Sequence, residues 1–271
     1  MRKTLTLCIL LAFSLTSAAQ KHKKNGVDDQ AIKDSSVITS AQLSTDTLYL
    51  RMYHNGMKYG DYRTAIIALN ALYAIHPSNI GYLDSLCLLY AQTENYAQCI
   101  FTGRELVKYM PDNISIISAM AVSEQQLGRY EEALDLFKKE YAKNSSLYAS
   151  YQIAVLQYAL KKYGEAQASL DRLILDPEAI KTKINFSASS NSTQPIIYRA
   201  AAENLMGIIY QELKDYPKAN EHFKKALEIQ PDFVLAQNNK ESLKKLMEVD
   251  NKEVKSGKNA SGTNKNNTKT K

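Results

Sequence analysis

Few residues in the chain have the types and spacing that catalysis or metal binding requires. The four histidines are His22, His54, His76 and His222, and no two of them lie at the spacing that metal ligands use. Acidic pairs such as Glu131–Glu132 fall on the side of a helix that we expect to be exposed. No glycine-rich phosphate loop, Gly-x-Ser-x-Gly or His-Glu-x-x-His motif is present. The sequence predicts a non-enzymatic protein without cofactor or metal, and leaves open a site of carboxylates assembled from distant positions.

The N-terminus has the layout of a secretory signal peptide. Arg2 and Lys3 form a basic start, Leu5–Leu15 is a short apolar run, and Ser17-Ala18-Ala19 supplies small residues for cleavage. We therefore expect residues 1–19 to be removed and the protein to be exported, to the periplasm or outside the cell. No later stretch approaches the roughly 18 apolar residues of a membrane helix, so no transmembrane segment is predicted.

Positive charge is concentrated towards the two ends of the chain, whose formal net charge is +6. Three lysines lie between residues 21 and 24, and six lie in residues 250–271. The segment between these ends is mildly acidic, which argues against a nucleic-acid partner. Residues 20–45 are predicted to be a polar linker and residues 250–271 a disordered basic tail. The tail either makes weak contacts with anionic surfaces or only keeps the chain in solution.

Between these ends the apolar residues follow a helical period, and one pattern recurs along the chain. From Ala219, steps of four, seven and twelve residues lead to Phe223, Ala226 and Pro231. The corresponding anchors are Ala65, Cys99, Ala133, Ala166 and Ala219. The first three anchors are 34 residues apart and the fourth follows after 33, so the sequence has an internal repeat.

A second small residue lies twelve positions before four of the five anchors. These residues are Cys87, Ala121, Ala154 and Gly207, whereas the first unit has Tyr53. Two antiparallel helices approach closely only where side chains are small, so Gly207 and Ala219 are predicted to mark the crossing of one helix pair. Phe223 then fills the volume beside the crossing, and Pro231 ends the second helix.

This pattern resembles the tetratricopeptide repeat, a 34-residue helix–turn–helix unit. The resemblance implies an all-α, right-handed solenoid over residues 46–249. Its units are 46–79, 80–113, 114–146, 147–179 and 200–233, followed by a capping helix at 233–247. Residues 178–195 interrupt the repeats, and Ile180, Thr182, Ile184 and Phe186 alternate there with polar residues as in a strand. This insert either touches a partner or is a tolerated mobile loop.

The resemblance also implies a concave groove, lined by the first helix of each unit, that binds a protein partner. The residues that it places there include Ser118, Gln125, Tyr148, Tyr151, Tyr158, Asn204 and Gln211. Tyrosine and amide side chains suit an extended or a helical partner segment. For Tyr151 and Tyr158, packing between units is an equally supported role.

The same alignment places Cys87 and Cys99 at the two small positions where the helices of the second unit cross. Two alternatives follow: a disulfide that links the pair in an oxidising compartment, or two buried thiols that act as small packing residues.

These features predict a protein–protein interaction scaffold in the cell envelope or outside the cell. The alternative is an accessory module of an envelope enzyme or secretion assembly that its basic tails hold at anionic surfaces.

Overall fold

The computed structural model describes residues 40–189 and 192–261. The predicted signal peptide, most of the predicted linker and residues 262–271 lie outside the described residues. In chain order, the elements are α1 (Ser40–Tyr59), α2 (Tyr62–Ile75), α3 (Ile80–Gln92), α4 (Tyr96–Tyr109), α5 (Ile114–Gln126), α6 (Tyr130–Asn144), α7 (Leu147–Ala159), α8 (Tyr163–Leu175), a 3-10 helix (Pro177–Ile180), β1 (Lys183–Ser189), β2 (Ser192–Ile197), α9 (Tyr198–Glu212), α10 (Tyr216–Ile229) and α11 (Val234–Ser261).

Consecutive helices pack against each other in pairs, which confirms the predicted all-α repeat architecture. The described chain divides within α7 into two compact units, one ending at Ala149 and the other beginning at Ser150. In the N-terminal unit, α1 packs on α2, α3 on α4 and α5 on α6, and the pairs contact one another through α2–α3 and α4–α5. In the C-terminal unit, α9 packs on α10, and α10 packs on α11.

The turn inside each pair places one residue in the left-handed conformation. These residues are Gly60, Glu94, Gly128, Lys161 and Lys214, with φ between 59° and 74°. Each occupies the same position of its repeat, directly before the residue that caps the second helix. In two of the turns the cap is an aspartate: Asp61 accepts a hydrogen bond from Thr64 N, and Asp215 accepts one from Lys218 N. The recurring turn therefore returns the chain sharply enough for the two helices to pack.

The predicted crossing residues are fully buried. Ala219 and Phe223 are fully buried, Gly207 is also buried, and a Cβ on Gly207 would lie 2.6 Å from the Phe223 ring. In the first pair, the two helices approach closely at a residue other than Tyr53, which occupies the expected position. There Gly56, three residues after Tyr53, faces Ala65, and a Cβ on Gly56 would lie 2.8 Å from Ala65 N. Unit one is therefore a repeat whose small residue has shifted by almost one helical turn.

The insert between α8 and α9 is an antiparallel β-hairpin of β1 and β2, with Ile184 opposite Ile196 and Phe186 opposite Gln194. The strand-like alternation does describe β1, but Thr182 lies just before the strand and the alternation was wrong for Ile180. That residue closes the 3-10 helix, which Asp176 caps by accepting a hydrogen bond from Glu178 N. No alternation in the sequence predicts β2, whose residues pair with β1 without an apolar pattern of their own.

Helices also extend beyond two predicted boundaries. Helix α1 begins at Ser40, inside the predicted linker, and α11 runs to Ser261, inside the predicted disordered tail. The prediction of disorder differs from the structure over residues 250–261. Extending an existing helix requires no new nucleation, so lysine- and asparagine-rich residues continue α11 although they have little to bury.

Candidate partner-binding surface

Three of the predicted groove residues share one position in the repeat. Gln125, Tyr158 and Gln211 each follow the small residue of a first helix by four positions, on α5, α7 and α9 respectively. All three are half-buried, so part of each side chain is open to solvent. The first helices thus present a hydrogen-bonding side chain at the same place in three successive units.

The hydroxyl group of Tyr158 is affected by its partial burial. Burial, with smaller contributions from nearby Glu212 and Tyr163, raises the pKa of Tyr158 to about 12. Its hydroxyl therefore stays protonated at neutral pH and is able to donate a hydrogen bond. The ring of Tyr163 lies 6.1 Å away and fixes one side of the Tyr158 ring.

Two further predicted groove residues, Tyr148 and Ser118, contact side chains of the N-terminal unit itself. The ring of Tyr148, half-buried, packs edge-on against Phe137 at 5.8 Å. Ser118, also half-buried, hydrogen-bonds to the carboxyl group of Glu140. Both keep some exposed surface. The Tyr148 ring and the Ser118 hydroxyl, which the sequence assigned to a partner, nevertheless contact residues of their own unit.

Tyr151 is covered by the chain itself. Only 4% of its surface is exposed, and its ring packs edge-on against Phe186 of β1 at 6.0 Å and against Tyr198 of α9 at 6.2 Å. This burial raises the pKa of the Tyr151 hydroxyl well above its usual range. The packing role that the sequence left open is therefore the one that Tyr151 has in this structure, although its neighbour Phe186 belongs to the insert.

Asn204 is likewise buried, with 2% of its surface exposed. Its side-chain oxygen accepts a hydrogen bond of 2.9 Å from Asn239 Nδ2, which connects α9 to α11. The amide expected to bind a partner backbone thus joins two helices, because α11 packs against the face of α9 on which Asn204 lies.

The hairpin is fastened at one end to the turn between α10 and α11. Gln230 donates a hydrogen bond from Nε2 to Pro195 O at 3.1 Å, and its Oε1 accepts one from Ile197 N at 2.9 Å. Gln194 donates to the Asp232 carbonyl oxygen and accepts a bond of 3.2 Å from Val234 N. Two glutamine side chains therefore hold β2 against a single turn.

Buried acids are the polar feature that sequence reasoning missed. Glu124 on α5 is 1% exposed and pairs with Arg104 at 3.0 Å and with Arg129 at 3.1 Å. Glu203 on α9 pairs at 2.7 Å with His222, whose ring stacks on Tyr210 at 5.2 Å. Their only sequence signal is a charged residue on the apolar stripe of a helix.

Cys87 and Cys99 do meet where the helices of the second unit cross. Both are fully buried free thiols, with the two Sγ atoms 3.7 Å apart and Cys87 Sγ 3.3 Å from the Cys99 carbonyl oxygen. The hydrogen bond to Cys99 and burial raise the pKa of the Cys87 thiol. The structure thus contains the thiol alternative, and the disulfide stays a prediction.

Across residues 40–189 and 192–261, no cluster of three or more histidine, cysteine, aspartate or glutamate side chains is arranged to hold a metal ion. In the same part of the chain, no helix is both long and apolar enough to cross a membrane.

The chain matches two family models and many solved structures. Residues 200–233 match the family model described as tetratricopeptide repeat, and residues 92–173 match the model described as anaphase-promoting complex, cyclosome, subunit 3. No curated protein sequence matches the chain significantly. The likenesses that identify the fold are therefore those to solved structures.

Three of these structures are representative. A tetratricopeptide repeat protein from Parabacteroides merdae has a TM-score of 0.59 and 16% identity, over 75% of this chain and 74% of its own. YrrB, described as a TPR protein with an unusual peptide-binding site, has a TM-score of 0.56 and 16% identity, over 71% and 90%. MamA from Desulfovibrio magneticus has a TM-score of 0.55 and 16% identity, over 70% and 97%.

The paired helices, the recurring left-handed turn and the small residues at each crossing define an all-α helical-repeat protein. At these identities the solved structures show a common fold alone. Together with the match at residues 200–233, they show that the chain has the fold of tetratricopeptide repeat proteins and contains one such repeat in its C-terminal unit.

Proposed function

We propose that this protein is a non-enzymatic scaffold for protein–protein interaction, exported to the periplasm or outside the cell. The observation that carries the proposal is the recurrence of Gln125, Tyr158 and Gln211 at one repeat position, each half-buried on a first helix. A repeat that uses one position for packing would keep it apolar. In units one and two the same position holds Met57 and Ala91, whereas units three to five carry polar side chains that are each half-buried.

The chemistry of these groups suits a polypeptide segment. A glutamine amide both donates and accepts, so Gln211 matches the carbonyl and N–H groups of a partner backbone, whereas Gln125 contributes no acceptor because its Oε1 atom is buried. The protonated hydroxyl of Tyr158 adds a donor, and its ring supplies contact area at a low cost in side-chain entropy. Half-burial orders these side chains before binding, which reduces the entropy lost on association.

Two further observations support the proposal. YrrB, which has the same fold, is described as having a peptide-binding site. Export is supported by the basic start, the short apolar run and the small residues before Gln20, all of which lie outside the described residues. The basic ends belong to the alternative function, in which anionic surfaces hold the protein in place.

Site-specific crosslinking tests the proposal. A photo-crosslinking amino acid is introduced in cells at Gln125, Tyr158 or Gln211, and at Asp135, an exposed residue on the second helix α6, as the matched control. We expect one protein to be captured from the three first-helix positions and not from Asp135. Capture should persist when residues 250–271 are deleted and at moderate salt.

Other patterns of capture would contradict the scaffold function. Equal capture from Asp135 would place the binding surface on the second helices. Capture that needs residues 250–271 and fades with salt would favour attachment through the tail, since the Debye length is only about 8 Å at physiological ionic strength.

A further inference from the structure

The β-hairpin presents one apolar side to the rest of the C-terminal unit. Ile184, Phe186 and Ile196 are each at most 8% exposed. Lys183, Asn185, Thr193 and Pro195, which alternate with them along the two strands, are exposed. A loop tolerated only as an insertion needs no such alternation, whereas a segment that covers a surface does.

The surface beneath the hairpin consists of aromatic residues from three different elements. Phe186 packs edge-on against Tyr151 at 6.0 Å and against Phe233 at 5.7 Å, and Tyr151 also packs against Tyr198 at 6.2 Å. Tyr151 belongs to α7, Tyr198 begins α9, and Phe233 precedes α11. We call this surface of Tyr151, Tyr198 and Phe233 the hairpin seat.

The polar attachments of the hairpin are exchangeable. Gln194 and Gln230 form neutral hydrogen bonds to backbone groups of the hairpin and of the α10–α11 turn. Water replaces such bonds when the segments part, so their net contribution is small. The apolar contacts of Phe186 and its neighbours therefore account for most of what holds the hairpin on its seat.

We propose that the hairpin seat binds an extended segment of a partner protein with alternating apolar side chains, one of them aromatic, and that the hairpin is its intramolecular competitor. The hairpin itself shows what the seat accepts: an extended backbone whose aromatic side chain packs beside Tyr151. This inference deepens the proposed function, because it chooses an extended over a helical partner segment and adds a means of control. A partner that takes the seat must displace the hairpin, which lowers its apparent affinity.

A peptide supplied in trans tests the seat without the partner. Residues 183–197 are replaced by a short glycine–serine linker, which the structure permits because Tyr198 N lies 3.1 Å from Thr182 O. The probe is a fluorescein-labelled peptide that copies residues 182–198, and binding is followed by fluorescence anisotropy. Since a short tether gives an effective concentration of the order of millimolar, the titration extends to about 1 mM.

We expect the peptide to bind the shortened chain and to bind the intact chain at least tenfold more weakly. A peptide with Phe186→Ala should bind the shortened chain at least tenfold more weakly, whereas Lys183→Ala in the peptide should have no effect. Tyr151→Ala in the shortened chain should also weaken binding. Circular dichroism and thermal melting confirm that each variant is folded.

Three outcomes would overturn the inference: no binding to a folded shortened chain at about 1 mM, equal binding by intact and shortened chains, or equal binding by the Phe186→Ala peptide. If the shortened chain does not fold, the full chain with Phe186→Ala replaces it. This chain must bind the peptide more tightly than the intact protein, and Lys183→Ala must not. Because no partner is needed, this test fails or succeeds independently of the crosslinking at Gln125, Tyr158 and Gln211.

Discussion

Individual residues determine how closely the two helices of a pair approach and where a charged side chain is buried. Gly207 is the clearest example of the first, because the Phe223 ring occupies the space that a side chain would need. Glu140 is the clearest example of the second. It occupies a repeat position where the fifth unit has Ala226, and it is 4% exposed. Each residue allows a prediction with a control on a neighbouring element.

Gly207→Ala should destabilise the protein although alanine favours helix. The new Cβ would lie 2.6 Å from a Phe223 ring that is fully buried. Overpacking of this kind costs about 1–3 kcal/mol. Gly164→Ala is the control, because nothing lies within 4 Å of its Cβ, and it should gain up to about 1 kcal/mol from helix propensity. Urea unfolding measures both, and equal effects would contradict the close crossing.

Glu140→Gln should stabilise the protein at neutral pH. Burial raises the pKa of Glu140 above its ordinary value of 4.5, and hydrogen bonds from Ser118, Ser146 and Asn144 only partly oppose the rise. Its Oε2 atom is buried without a hydrogen-bond partner. The native state therefore holds the proton more tightly than the unfolded state, so the free energy of unfolding falls as pH rises from about 4.5 through the native pKa.

Thermal melting between acidic and neutral pH tests this sign. The stabilisation by Glu140→Gln should grow with pH across that window and vanish at its acidic end. Glu131→Gln, an exposed change on the same helix, should show no such trend. A wild-type protein that gains stability with pH relative to Glu140→Gln would show that the carboxylate is the favoured form.

The Cys87–Cys99 pair predicts slow thiol chemistry in the folded state. Both thiols are fully buried, so a reagent does not reach either of them in the folded protein, although their hydrogen bond raises the pKa of Cys87 and lowers the pKa of Cys99. In the mature protein purified under reducing conditions, we expect a thiol reagent to titrate no groups before unfolding and two after it. The same titration on protein taken from an oxidising compartment tests the disulfide, which requires that no thiol appear on unfolding without a reductant.

At the scale of elements, the second helix of each pair follows a turn of fixed geometry, and α11 closes the series. Helix α11 contacts α10 through a narrow stripe that includes Ala236 and Leu243, both buried. The opposite side carries lysine and glutamate, such as the pair Lys245–Glu241. A terminal helix of this kind covers the apolar face of the last pair and presents a polar face outward.

Leu243→Ala should therefore destabilise the C-terminal unit. Leu243 is 1% exposed, and removing a buried leucine side chain costs about 2–5 kcal/mol, with the lower end expected at a terminal helix. Leu246, on the same helix, is 41% exposed, so Leu246→Ala should change stability by less than about 0.5 kcal/mol. Chemical denaturation followed by circular dichroism compares the two, and similar losses would show that α11 does not pack through this stripe.

At the scale of the whole molecule, the excess positive charge and the paired helices occupy different parts of the chain. The helix pairs carry interspersed acids and bases, including exposed pairs such as Lys143–Asp112 and Lys225–Glu221. The excess of lysine lies in the terminal segments of the sequence. Electrostatic adhesion and partner recognition are therefore expected to respond differently to salt.

The mature chain should bind anionic phospholipid vesicles weakly at low salt, and deletion of residues 250–271 should remove most of this binding. Raising the ionic strength to a physiological level should weaken the remainder, because the Debye length shortens to about 8 Å. A chain in which the six lysines of this segment are changed to glutamine is the control for length. Vesicle cosedimentation measures all three proteins. Binding that survives both changes would place the anionic contact outside residues 250–271.

The sequence by itself determined the repeat, because helix crossing needs small residues at fixed spacing and each unit must contain them. Ala65, Cys99, Ala133, Ala166 and Ala219 are all fully buried, as their periodicity predicts. The shifted Gly56 escaped the pattern, since a spacing rule does not show that a glycine three residues away meets the same neighbour.

Only the tertiary structure decided which first-helix residues stay partly exposed to solvent. The resemblance places both Gln125 and Tyr151 on the groove, yet Tyr151 lies beneath Phe186, from a hairpin 35 residues further along the chain. Asn204 is likewise committed to Asn239, and the half-buried Gln125 and Gln211 are not covered to that degree. Repeat position reports the helix face on which a residue lies, but long-range contacts determine what covers that face.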